Sequence, residues 1–195
     1  MSEWNTIHPS SEITNCIIGK NVHIGPFCFL SDSTISDNTV IEGNARIDKS
    51  ILKENVEILW GGIVRESTLG IWCIIGGEVK KSILGEKNKA KHPGTSIISA
   101  KTGDKVNFGG WFKCANYDGN GKGQFVIGDN VFLGCNSVIS VRAEQTTHIG
   151  NGTKIGANVH IGIDVPADSL VYIDKDSGTV TIREWYYALQ WKMKN

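Results

Sequence analysis

Single aliphatic residues recur every six positions along this chain. Ile18-Gly19 and Ile24-Gly25 are six apart, as are Ile127-Gly128 and Leu133-Gly134, and the step continues through Ile149-Gly150, Ile155-Gly156 and Ile161-Gly162. A longer period of 17 links Ile18, Ile35, Leu52 and Leu69. The three- and four-residue steps of an amphipathic helix are missing. One aliphatic per six, followed by Gly, Ser, Asp or Glu and a polar turn, predicts a hexapeptide β-solenoid over roughly residues 11–170. Three hexapeptides make a triangular coil with an inward aliphatic per corner, and coils stack at the ~4.8 Å strand spacing. Glycines are expected to supply the positive φ of the corners. Parallel crossovers are mostly right-handed, and the period alone does not fix the hand of this one.

Two stretches break the pattern. The first runs from about Lys80 to Lys105; the second, Trp111 to Gln124, reads WFKCANYDGNGKGQ, too rich in Gly and Asn for a regular strand. Val141 to Thr147 is a smaller excursion. All three read as loops inserted on one working face. After Leu170 the sequence VYI-DKDSG-TVTI predicts a hairpin. Ile182, Trp185, Tyr186, Leu189 and Met193 then share one face of a short helix expected to cover the open end of the solenoid. The expected division is a repeat domain over 1–170, with inserted loops at about 80–105 and 111–124, and a cap over 171–195.

Composition narrows the class. The 195 residues carry 20 basic and 20 acidic side chains, and 40% are apolar, which excludes a disordered chain. The absence of a run of ~18 apolar residues speaks against a membrane span, and the start lacks the pattern of a secretory leader. Five cysteines without a CxxC pair read as free thiols of a reducing cytoplasm, not a disulfide frame or zinc site. Zero net charge argues against a general nucleic-acid binder. The charge is nevertheless uneven. Lys80 to Lys122 holds nine lysines and three acids, net +6, leaving −6 elsewhere. A solvated basic face and a site for an anionic nucleotide or phosphosugar both fit.

Five segments then occur in order: Val79-Lys80-Lys81-Ser82, Lys89-Ala90-Lys91-His92, Gly103 to Asn107 (GDKVN), Cys114 to Gly119 (CANYDG) and Ile127 to Asn136 (IGDNVFLGCN). Together they resemble the C-terminal acetyltransferase domain of the bifunctional N-acetylglucosamine-1-phosphate uridyltransferases, hexapeptide-repeat acyltransferases. The resemblance implies a left-handed parallel β-helix, a homotrimer, and acetyl transfer from acetyl-CoA to an amino sugar, sugar phosphate or nucleotide-linked sugar of cell-surface polysaccharide or sugar-nucleotide synthesis. The chain begins directly with its own coils, so a stand-alone cytoplasmic acyltransferase without nucleotidyl transfer is expected. By the same resemblance His92 is the catalytic base and Lys80 holds the sugar phosphate. Asn107, Asn116, Tyr117 and Lys122 line the acceptor and acetyl-CoA site, Asn116 as a second catalytic residue. Gly110, Cys135 and Ala157 offer backbone contacts to acetyl-CoA.

Some positions depart from the family pattern. Its phosphate-binding arginine, eighteen residues before Lys80, is Gly62 here, and the nearest arginine is Arg65. Its substrate tyrosine falls near Thr95 or Ser96, and an arginine near the end of the coils has no counterpart in DKDSG. Glucosamine-1-phosphate is therefore expected to be a poor acceptor, and a nucleotide-linked amino sugar a better one.

Acyl transfer to an amine needs a base and support for the oxyanion. Imidazole suits the first task, and backbone N–H groups around Gly109 and Gly110 suit the second. N-acetylation is favoured over O-acetylation. Zinc catalysis would need histidines one coil apart; His8, His23, His92, His148 and His160 do not recur at 17 or 18, and no metal is expected. A solenoid that only binds or assembles is the alternative to an enzyme.

Overall fold

The computed structural model describes residues 4–184. Every regular element among them is a β-strand of two to five residues, and the strands form three sheets. Sheet A has eleven strands, sheet B nine and sheet C eight. The chain visits A, B and C in turn and rises one coil per round, so the coils pair in parallel: Thr6–Ile7 on His23–Ile24, Glu12–Thr14 on Phe29–Ser31, Ile17–Ile18 on Thr34–Ile35. The result is a left-handed parallel β-helix.

Most strands turn one apolar side chain inward. In sheet A these are Ile24, Ile41, Ile58, Ile75, Ala90, Phe108, Leu133, Ile155 and Val171, all at most 1% exposed. Full burial of one such aliphatic contributes roughly 1.5–3 kcal/mol, so the column is the main stabiliser of the stack. Ala90 is the small member, and the next coils compensate with buried Phe108, Phe112 and Phe125; the first two rings lie 5.3 Å apart at 54°.

The corners overturn one expectation. Among the described residues twenty non-glycines have positive φ, eight of them asparagine, against five glycines. Asparagine tolerates the left-handed conformation, and its amide bonds to the next coil, as Asn21 Nδ2 does to Asn38 Oδ1 at 2.9 Å. The recurrent glycines serve close approach instead: a Cβ on Gly25 would stand 2.8 Å from Gly43 N of the coil above.

Coil length divides the molecule. Up to Ile74 it is constant, with Thr6, His23, Val40, Glu57 and Ile74 in one register at steps of 17. Beyond it the pairs are Ile74↔Lys89, Lys89↔Asn107, Asn107↔Phe132 and Phe132↔Lys154, giving 15, 18, 25 and 22.

The stretch 80–105 is not an inserted loop. It carries Ile83–Leu84, Lys89–Ala90, Ser96–Ile98 and Ala100–Thr102 and closes ordinary coils. Its lysines hold outward and corner positions, while Val79, Leu84, Ala90 and Ile97 keep the core continuous. Within 111–124, Lys113–Ala115 and Gln124–Ile127 are strands, so only residues 116–123 leave the coil. The smaller excursion departs one coil higher, between Val138–Ser140 and Thr146–Ile149.

Ser169–Ile173 ends sheet A and pairs antiparallel with Val180–Glu184, the expected hairpin. Ile182 belongs to that strand and not to a helix. Trp185, Tyr186, Leu189 and Met193 lie outside the described residues.

Candidate functional site

The corner between sheets A and B gathers four of the expected site residues. It takes four residues (59–62) after Glu57–Ile58, only Gly76-Gly77 after Ile74–Ile75, and five (91–95) after Lys89–Ala90. The long corner carries His92, exposed, followed by Pro93 and by Gly94 at φ +78. Thr95 pins its base by donating to Gly109 O at 3.1 Å. Gly110 lies directly over the histidine, where a Cβ would stand 3.4 Å from His92 Cβ. Asn136 N then donates to Gly110 O at 2.7 Å, and Asn158 N to Cys135 O at 3.0 Å. His92, Gly110, Cys135 and Ala157 thus occupy one corner in four successive coils.

The oxyanion donors differ from expectation. The Gly109 N–H bonds to Leu133 O at 2.7 Å and is spent on the ladder, whereas the Gly110 N–H makes no hydrogen bond among the described residues. Thr95 is 1% exposed with its hydroxyl engaged, so it does not stand in for a substrate-facing tyrosine.

A second group lies at the corner between sheets B and C. Lys80 closes the strand Glu78–Lys80, and its carbonyl accepts from Ser99 N at 3.0 Å. Asn116 Nδ2 donates to Ser99 Oγ at 3.0 Å. Tyr117 bridges Lys122 across the loop and donates its hydroxyl to Gly119 O at 3.0 Å. Asp118, not anticipated from the sequence, ties the two excursions together. Its carboxylate accepts from Ala143 N (2.9 Å), Asn120 N (2.9 Å) and Gly121 N (3.1 Å), and these donors hold it below the ordinary carboxylate range.

Within one chain the Asn116–Lys122 loop stays apart from the histidine, and Lys80 lies on sheet B between them. The strand Lys113–Ala115, about 10 Å long, separates the His92 corner from Asn116. Asn107 belongs to neither; it is exposed on sheet A, paired with Lys89 and Phe132, just ahead of Gly110.

Register changes the reading of the arginine. Eighteen residues is one full coil of three hexapeptides, so the family pattern sets its arginine directly below the lysine. Here that coil is shortened at Gly76-Gly77, and the residue paired with Lys80 is Arg65, not Gly62. Both side chains are half-buried on the outer face of sheet B. Arg65 Nη2 bonds Glu78 Oε1 at 2.5 Å, and its buried Nε has no hydrogen-bond partner among the described residues. Counting eighteen residues along the chain missed this because the coil between the two cations is only 15 residues long, three short of three hexapeptides.

The remaining reactive groups are dispersed. His148 lies on sheet C near Asp164 (3.4 Å) and His160 on sheet B against Ser140 (2.9 Å), on different faces as their spacing predicts. Burial pushes the Cys73 thiol up to about 11 and that of Cys114 up to about 12, while Cys135 is exposed.

Comparison with known proteins agrees with the sequence resemblance. The family described as GlmU-like, C-terminal hexapeptide matches residues 4–67. The bifunctional protein GlmU of Clostridium kluyveri is 34% identical over 168 residues, covering 74% of this chain and 36% of that protein. That of Francisella philomiragia is 38% identical over 156 residues, covering 78% and 34%. The chain therefore spans about a third of the length of the curated relatives it matches. Among solved structures, UDP-N-acetylglucosamine acyltransferase from Campylobacter jejuni aligns with TM-score 0.59 at 18% identity, over 91% of this chain and 74% of that one. LpxA from Acinetobacter baumannii aligns with TM-score 0.60 at 20% identity, over 96% and 75%. Both are likenesses of fold.

Proposed function

We propose that this chain is an acyl-CoA-dependent acyltransferase that N-acetylates an amino sugar bearing a phosphate or nucleoside diphosphate. The observation that carries this reading is the shared corner: an exposed histidine below a backbone column at Gly110, Cys135 and Ala157, with the Arg65–Lys80 pair on the adjoining sheet. The sequence relatives named bifunctional protein GlmU support it.

The reaction follows from the residues. Acetyl-CoA, the co-substrate, lies along the Gly110–Cys135–Ala157 column with its thioester at His92. The amine nitrogen attacks the carbonyl carbon; a C–N bond forms and the C–S bond breaks. The imidazole of His92 takes the proton lost by nitrogen and returns it to the departing thiolate. The Gly110 N–H meets the oxyanion, its advantage being that no internal hydrogen bond competes for it. Arg65 and Lys80 hold the acceptor phosphate, since an arginine fork is the strongest partner for such a group. An arriving anion satisfies the orphaned Nε and draws Arg65 off Glu78. With Arg65 in place, the premise for a poor glucosamine-1-phosphate acceptor is gone, and phosphosugar and nucleotide sugar stand level.

The working unit is a homotrimer. A second copy is needed to bring an Asn116–Lys122 loop to the His92 corner, because one chain keeps them on opposite edges of sheet B. The compartment is the cytoplasm, where acetyl-CoA and sugar nucleotides are made.

Acetyl transfer to glucosamine, glucosamine-1-phosphate and UDP-linked amino sugars, followed by release of CoA thiol, tests the proposal. Turnover with a phosphorylated amino sugar, by a species of three times the 21.3 kDa chain mass, is expected. A monomer that turns over none of the panel contradicts it.

A further inference from the structure

We propose that Trp111 is the platform on which the acceptor's sugar ring lies, and so a specificity-determining residue of the reaction proposed above, on which this inference rests. Trp111 follows Gly110, the residue stacked on His92. Its ring lies against Gly94, two residues beyond the histidine, in the space a Gly94 side chain would fill. The indole and the imidazole therefore belong to the same corner of neighbouring coils. The indole is 62% exposed.

Its backbone is costly. Trp111 sits at φ +62, a region bulky side chains seldom occupy. In the next two coils Asn136 and Asn158 fill the same corner position at φ 55 and 59, the economical choice for this conformation. The coil below contributes Gly94, which alone leaves room for the ring. Phe27 and Trp72 share this backbone and are exposed on other coils, so Trp111 is set apart by its place next to the His92 corner and not by strain alone.

The ligand chemistry follows from two neighbours. The indole face packs against an apolar or aromatic surface, and Lys113 Nζ stands over the ring, 5.9 Å from its centroid, a cation that the occupant's anion would draw off that face. The occupant is thus a ring with a flat apolar face attached to an anion. A nucleobase is too distant: in a nucleotide sugar, ribose and diphosphate separate it from the reacting amine, whereas Trp111 adjoins His92. The pantetheine arm runs the other way, up the Gly110–Cys135–Ala157 column. What remains is the pyranose itself, its C–H face on Trp111, its amine at His92 and its phosphate toward Lys113 and the Arg65–Lys80 pair.

The test uses full-length W111N, W111F and W60N. Trp60 is a control: it is 61% exposed on the same corner and packs over Gly43, three coils below Trp111. Asparagine at 111 restores the ordinary corner, so a structural role alone predicts no kinetic change. The expected result is an acceptor KM about tenfold higher in W111N, partly rescued in W111F, with the acetyl-CoA KM unchanged and W60N like the parent. An unchanged acceptor KM in W111N, or a rise in the acetyl-CoA KM instead, overturns the platform while leaving the acyltransferase reading intact. A parent protein that acetylates no amino sugar overturns both. Should W111N not fold, indole N–H resonances of the parent decide, with Trp111 assigned by its loss in W111F. A shift of that resonance on adding glucosamine-1-phosphate is expected; an unmoved one overturns the proposal.

Discussion

The coils before Ile74 and those after it are built from the same hexapeptides but differ in what they tolerate. In the first region each sheet A register step is 17, and the corners are mostly asparagine, aspartate and lysine. In the second the coil shortens to 15, then lengthens to 18, 25 and 22. Each change falls at a corner and leaves the inward columns unbroken. All the candidate site residues except Arg65 lie in the second region. Stacking thus fixes the strands, because an inward aliphatic must meet its neighbour. The corners face solvent and are free to vary, so chemistry is written there.

Substitutions can set the two regions against each other. Arg65 is the last cation of the regular coils and pairs with the first of the irregular ones. Loss of one charged hydrogen bond costs about 1.5–3 kcal/mol. Arg65→Ala should therefore weaken acceptor binding roughly 10- to 150-fold with little change for acetyl-CoA, measured as separate KM values. An acceptor KM equal to that of the parent would place the phosphate elsewhere.

Asp118→Ala should act next most strongly, through the loop alone. Freeing residues 116–123 from Ala143 should lower acceptor kcat/KM by about five- to tenfold, the value of one ordinary or modestly charged hydrogen bond. The Asp118 carboxyl is held below its ordinary range by backbone N–H donors, that of Ala143 first. A depressed folded pKa means the latch is complete above the unfolded value near 3.8 and fails only as pH falls through the lower folded one. Loop-dependent activity should therefore be insensitive to this group from pH 5 upward; an activity change traced to Asp118 near neutrality would contradict the assignment.

In the regular region the same kind of change should touch stability only. Asn44 occupies a corner of sheets A and B at φ +58. Alanine there costs about 1–2 kcal/mol of backbone strain, lowering Tm by roughly 2–8 °C without altering kcat. A Tm equal to the parent's would show that the asparagine corners are dispensable.

The sequence made the solenoid legible because its signal is periodic: Ile18, Ile35, Leu52 and Leu69 had to share a column. The hairpin was equally clear from its turn residues. The length of the breaks was not. Lysines on outward positions of 80–105 masked coils whose inward residues, Val79, Leu84, Ala90 and Ile97, were in place, and Ala90 in an isoleucine position hid the period. The His92 corner was reached through short motifs, but Arg65 was not, since its partnership depends on a deletion that only register exposes. Trp111 lacked any signal beyond its type; its meaning comes from Gly94 beneath it, one coil away in space.

The proposed mechanism turns on His92, on the longest of the corners between sheets A and B below Gly110, as the base that removes the proton during acyl transfer. Steady-state turnover of His92→Ala with acetyl-CoA and a phosphorylated amino sugar, alongside its Tm, tests it most directly. A fall in kcat of roughly 10²- to 10⁴-fold is expected, with acetyl-CoA binding and Tm preserved. Turnover within a few-fold of the parent would remove His92 from the mechanism and the A–B corner from the active site.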